Sequence, residues 1–202
     1  MEIKDLNHFK KLVQTGKIVD KYYFYKRNEE EKQKQTNEMS WLIDYFKNNL
    51  KLDLYPISGT LLGMIRDNEY IAHDNDIDLA YLSNKHTKKE VLNEFYKICD
   101  YLKKENLLAR VCMKGQLHCF GESKIFKYDI WTSFIINKKF YLIPLIDGDL
   151  DQENLIPFKK YKFRNNEFNI PNQSTKILDF IYKDWKQINY KLGERNKWKN
   201  IL

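Results

Sequence analysis

The sequence predicts an α+β fold, a mixed sheet flanked by helices, with further helices at the N- and C-terminal ends. Two observations carry that prediction. Segments with apolar residues at helical spacing, clearest at Val91, Leu92, Phe95, Ile98, Cys99 and Leu102, are interspersed with short runs rich in aromatic and β-branched residues. Several of those runs follow one another across glycine or asparagine turns, at Lys114-Gly115-Gln116 and Arg164-Asn165-Asn166-Glu167, which is the mark of hairpins. The 202 residues, 43% hydrophobic and 15% aromatic, suffice for one domain with a real core and are short for two. We divide 1–202 into an N-terminal arm (1–27), a core (28–185) and a basic tail (186–202).

Taken in order, Phe9, Leu12 and Val13 predict a helix, followed by an arm around Tyr22, Tyr23, Phe24 and Tyr25. That aromatic cluster could be a carbohydrate-stacking surface, but core packing is the simpler reading. Asn28 followed by Glu29, Glu30 and Glu31 is a helix N-cap with acids in the first turn, and Met39, Leu42, Ile43, Phe46 and Leu50 continue a long helix. Leu54 to Ile57 and Ile77 to Leu82 are expected strands. Thr87-Lys88-Lys89-Glu90 is a capping box that starts a helix over 88–105. Strands are then expected from Leu107 to Met113 and Leu117 to Phe120, within Lys124 to Phe134, and from Phe140 to Ile143. Asp147-Gly148-Asp149-Leu150-Asp151 lacks the later glutamate of a calcium loop and is expected to be a solvated turn. A hairpin from Phe158 to Ile170 ends at Pro171, Ser174 is expected to cap a last helix, and Trp185 to anchor its end.

The chemistry concentrates between Tyr55 and Leu82. Alternation along a strand sends Asp76 and Asp78 to one face while Ile77 and Leu79 point into a core. Carboxylates held that close repel one another unless a cation lies between them, and a short all-carboxylate motif suits magnesium, whose shell is completed by waters and phosphate oxygens. Manganese is the alternative ion. His73 is the only histidine or cysteine nearby, so zinc is not indicated. Upstream, Ser58, Gly59 and Thr60 open a helix whose unpaired N–H groups and hydroxyls suit a phosphate, to which Arg66 could add a charged fork or, equally, form a salt bridge supporting the loop. Asp74 faces the metal on strand parity or caps the preceding loop. A phosphate seat followed closely by Asp-x-Asp on a strand is the layout of a nucleotidyltransferase fold.

Gly59-Thr60-Leu61-Leu62-Gly63, Arg66, Ile71 and Asp74-Asn75-Asp76-Ile77-Asp78 resemble the signature of the LicD family, which also takes in the fukutin-related proteins. Lys127-Tyr128-Asp129-Ile130-Trp131 resembles the family's later strand with a third acid, and Asn169-Ile170-Pro171 through Tyr182 and Trp185 its C-terminal segment, so the likeness covers roughly 40–188. It implies a nucleotidyltransferase-like fold and a magnesium-dependent phosphotransferase. The reaction implied moves phosphocholine or a polyol phosphate from a CDP-linked donor to a hydroxyl of a cell-surface glycan of lipopolysaccharide, capsule or teichoic acid type. It also implies that Asp129 joins Asp76 and Asp78 as catalytic and metal-binding acids, with Ser58, Gly59, Thr60 and Arg66 at the donor phosphates. Asp74, His73 and His118 are further candidates, although a hydrogen-bonded structural role is the simpler reading of His118. The chain departs from the pattern at Ala72-His73, Asn75 and Glu69-Tyr70, and keeps its acids.

A net charge of +7 fits an anionic partner, such as a nucleotide donor, an acidic glycan or a membrane surface met peripherally, and equally a lysine-rich coding bias. Two rivals share these features: transfer of a nucleoside monophosphate to a small molecule or protein, and a non-enzymatic nucleic-acid-binding domain. No nucleic-acid partner is expected, since lysine and arginine form no compact run. Cys99, Cys112 and Cys119 lack paired spacing and read as reduced core residues, and with no apolar leader in the sequence a cytoplasmic location is expected.

Overall fold

The computed structural model describes residues 3–182 and 184–187; the expected basic tail lies, past Gln187, outside the described residues. Among the described residues six α-helices accompany nine strands, arranged as a mixed seven-stranded sheet and a separate two-stranded hairpin, the α+β fold predicted.

Helix α1 (Leu6–Gln14) starts where the Asp5 carboxylate accepts from His8 N, and α2 (Glu29–Tyr45) starts at the expected cap. There Asn28 Oδ1 accepts from Glu31 N and Glu31 Oε2 accepts from Asn28 N, each at 2.9 Å, so two otherwise orphaned donors are satisfied reciprocally. One wider turn (Phe46–Leu50) follows, ending at Lys51 in the left-handed region. Strand β1 (Asp53–Pro56) leads straight into α3 (Ser58–Asp67), and after an irregular loop the chain enters β2 (Ile77–Ser83). Thr87 caps α4 (Lys88–Lys104) by accepting from Glu90 N at 3.2 Å.

The predicted meander is β3 (Leu108–Met113), β4 (Gln116–Phe120) and β5 (Lys127–Ile136). Strand order is β1-β2-β5-β4-β3, and β5 is its hinge: parallel to β2 along most of its length and antiparallel to β4 at its start. Its end is antiparallel to β6 (Lys139–Leu142). Both faces of β2 are covered, which is why Ile77, Leu79, Ala80 and Tyr81 are all fully buried and the run around Asp78 is almost wholly apolar.

Two elements differ from expectation. The segment read as a solvated acidic turn is an edge strand, β7 (Ile146–Asp151), paired with β6. Its carboxylates alternate outward while Ile146, Gly148 and Leu150 turn inward, and Gly148 (φ 78) faces the irregularity between Phe140 and Tyr141. An edge strand with water on one side tolerates such acids, so composition alone resembled a loop. A short helix α5 (Gln152–Leu155) follows, then the hairpin β8 (Lys159–Phe163) and β9 (Asn166–Ile170), and α6 (Ser174–Ile181). Ser174 does not cap α6. It is that helix's first residue, and its hydroxyl donates to Pro171 O at 2.7 Å, which ties the helix start to the hairpin. Trp185 does anchor the far end, buried and donating from Nε1 to Asp179 Oδ1 at 2.7 Å.

The arm has its own small core, Ile3, Phe9, Leu12, Val13, Ile18 and Tyr23, distinct from the large cluster beneath the sheet. Tyr23 and Phe24 are buried, as core packing requires, whereas Tyr22 is half exposed.

Candidate active site

The acids meet at one end of the β2–β5 pair. Register places Asp78 beside Asp129 across the parallel strands, and Asp129 opposite His118 on β4, which in turn opposes Arg110 on β3. Residues directly paired across strands share a face, so Arg110, His118, Asp129 and Asp78 form one row across four strands spaced about 4.8 Å apart. Asp76, one residue before β2, continues the same parity.

Within that row each acid is held differently. His118 Nε2 lies 2.9 Å from Asp129 Oδ1, and Gln116 Nε2 is 3.4 Å from Asp129 Oδ2. Burial first, then the Arg110 charge, pushes the His118 imidazole below its ordinary value, against the pull of Asp76. In this contact the imidazole N–H donates to the carboxylate. Asp78 is 2% exposed. Its Oδ2 accepts from Gly59 N at 3.0 Å, and its backbone N–H donates to Thr60 Oγ1 at 2.8 Å, so the start of α3 holds this residue by both side chain and main chain. Asp74 keeps some surface, but its carboxyl is enclosed. Burial, then the charge of Asp76, a hydrogen bond to Asp76 and the charge of Asp78 push it well above the usual carboxylate range.

Those contacts turn the expected phosphate seat inward. Ser58 and Thr60 are buried, the Gly59 N–H is engaged by Asp78, and Ser58 Oγ shares a 2.8 Å hydrogen bond with Tyr182 Oη. Ser58 holds φ at 52°, the left-handed region a serine rarely adopts, which costs on the order of 1 kcal/mol and is tolerated where the surroundings over-determine it. A Cβ on Gly59 would stand 2.8 Å from Asp74 Oδ2 and 3.2 Å from Asp78 Oδ2, so glycine here admits carboxylates. Arg66 sits eight residues further along α3, about 12 Å from Ser58 by helix rise. Of its two readings the salt bridge is the one seen: the guanidinium pairs with Asp67 at 2.6 Å and donates to Trp185 O at 3.3 Å. His73 lies against Phe9, ring centres 5.7 Å apart.

The open space lies on the other side of the acids. A cleft of about 780 Å³ is lined by Asn75, Asp76, Gln116, His118 and Asp129, and its basic lining comes from Lys21, Arg27, Arg110 and Lys127. Arg110 and Lys127 are exposed and, among the described residues, form no salt bridge. Sequence reading missed these cations. Arg110 was one of many basic residues, and only its register with His118 sets it in the acid row.

Residues 51–173 match the family model described as LicD/FKTN/FKRP, nucleotidyltransferase domain. The chain belongs to the LicD family. Curated relatives include an uncharacterized protein of Rickettsia prowazekii (strain Madrid E), 28% identical over 140 residues, covering 69% of this chain and 50% of that protein. Another is an uncharacterized protein of Rickettsia typhi (strain ATCC VR-144 / Wilmington), 28% identical over 142 residues, 69% of this chain and 42% of that protein. This LicD-family chain thus spans about half the length of the curated relatives it matches. No helix among the described residues is long and apolar enough to cross a membrane.

Members of the LicD family are commonly metal-dependent. Among the described residues no group of three or more acid, histidine or cysteine side chains is placed so as to hold a metal ion. The donor chemistry is nevertheless that of a hard divalent cation: burial first, then Asp76 and Asp78, push the Asp74 carboxyl above its ordinary range, and Gly59 leaves room where a Cβ would intrude.

Proposed function

We propose that this LicD-family chain is a magnesium-dependent phosphotransferase that moves phosphocholine or a polyol phosphate from a CDP-linked donor to a hydroxyl of a glycan. The observation that carries the reading is that Asp76 and Asp129 line one cleft with Arg110 and Lys127, while buried Asp78 stands in register with Asp129. Carboxylates alone would repel a diphosphate. Cations on the same walls make the cleft fit one, and they take over the donor-phosphate role first expected of Ser58, Gly59, Thr60 and Arg66.

In this reading Asp76 and Asp78, with Asp129 or Asp74, hold a magnesium ion, which when bound neutralises charge on the donor phosphates. The acceptor oxygen attacks the phosphorus that bears the alcohol, the bridging P–O bond breaks, and CMP departs. Asp129 accepts the acceptor's proton, held in orientation by the His118 Nε2–H and by Gln116. Asp78 is fixed by Gly59 and Thr60, so the start of α3 serves the acids.

The test incubates the protein with magnesium and CDP-choline, CDP-ribitol or CDP-glycerol in parallel and measures CMP release. Asp76→Ala with Asp78→Ala is expected to abolish it, a loss of at least ~100-fold. Silence with every CDP donor, together with pyrophosphate release from nucleoside triphosphates, would overturn the reading in favour of nucleotidyl transfer.

A further inference from the structure

The loop from Ile71 to Asp76 carries two of the acids without regular secondary structure, so something outside it must hold its backbone still. The arm does so, from beyond the segment that matches the family model. Phe24 N donates to Asp74 O at 2.8 Å and Tyr25 N to Ala72 O at 2.9 Å, two main-chain bonds that strap the loop from one side. Arg27 finishes the strap. Its Nη2 donates to Asn75 O and to Tyr22 O, each at 2.8 Å, and its Nη1 donates to Gln35 Oε1 on α2. One guanidinium therefore joins α2, the arm and the peptide between Asp74 and Asp76.

Arg27 is 8% exposed, and its guanidinium packs 4.2 Å from the Phe24 ring centre and 5.2 Å from that of Tyr22. Burying a cation costs several kcal/mol unless nearby groups compensate. None of its three hydrogen-bond partners carries a formal charge. Burial works against the charged guanidinium, and Tyr22, Tyr70, Glu31 and, least of the four, Asp74 act in its favour. A planar fork suits the task, because two carbonyls and an amide must be gripped at fixed angles, which a lysine ammonium does less well.

We propose that Arg27 is a positioning residue for the acid cluster, fixing the Asn75 carbonyl and with it the Asp74–Asp76 pair, so that the N-terminal strap belongs functionally to the site. The kinetic part rests on the phosphotransferase reading. The geometric part does not, and the experiment separates them. Wild type, Arg27→Met and Arg27→Lys are compared by titration with Mn²⁺ alone, by amide exchange at Phe24 and Tyr25, and by CMP release.

Arg27→Met is expected to weaken Mn²⁺ binding about 10-fold or more and to speed exchange at both amides. It is also expected to lower kcat about 10- to 100-fold with KM changed less than about threefold. Arg27→Lys, which keeps the charge without the fork, should fall between the two. It also decides the matter alone if Arg27→Met does not fold. Wild-type exchange rates and Mn²⁺ affinity in a folded Arg27 variant would overturn the proposal. Wild type that binds Mn²⁺ but turns over no CDP donor sinks the phosphotransferase reading and leaves Arg27 to be judged by metal affinity and exchange. Wild type that binds no Mn²⁺ sinks both.

Discussion

At Gly59 the distances leave no room for a methyl group: Asp74 Oδ2 and Asp78 Oδ2 would stand 2.8 and 3.2 Å from a Cβ. Gly59→Ala must push one carboxylate aside or shift the start of α3, and small displacements of reacting groups are expensive in rate. We expect CMP release to drop at least ~10-fold with an unchanged far-UV circular dichroism spectrum. That glycine was legible in the sequence as a close-approach position. What approaches was not, since a phosphate and a neighbouring carboxylate both suit a free helix N–H. His118 teaches the same lesson from the other side: it lines the cleft and also has a close partner, and that partner is Asp129, an acid of the candidate site.

Elements with local start signals were the easiest to read. The Asn28–Glu31 box and the Thr87 cap need only four residues of sequence to recognise, and both helices begin where those signals put them. Removing the first, by Asn28→Ala, is expected to cost about 1 kcal/mol, read as a lower urea midpoint with an unchanged slope. Two elements had no such signal. Ser174 looked like a cap by residue type, yet Pro171 O takes its hydroxyl; Asp147 to Asp151 looked like a loop by composition, yet pairing with β6 makes it a strand. In each case a partner distant along the chain overrode a local preference.

On the scale of the whole molecule, the separation of two apolar clusters predicts two levels of stability. Phe9 is the fully buried centre of the arm's cluster and touches the main body through His73. Phe9→Ala is expected to cost about 3 kcal/mol within the arm. Amide exchange should then rise across residues 3–27, including the strap at Phe24 and Tyr25, while β2 and β5 keep their protection. Collapse of protection throughout the sheet would show instead that arm and core unfold as one unit. The arm's reach to the acid loop also makes this a test of site order, since Mn²⁺ affinity should fall with it.

Local periodicity by itself determined the α+β class, a helix expected over 88–105 and seen over Lys88–Lys104, the acids of 76 and 78 on one face and the apolar residues between them, because those features depend only on spacing along one segment. Tertiary structure alone decided that Asp129 stands beside Asp78, that His118 holds Asp129, that Arg110 and Lys127 share the cleft with the acids, and that Arg27 secures their loop. The reason is physical. Which strands become neighbours, and in what register, follows from how the whole chain closes around its core, and that closure has no signature within any single stretch of residues.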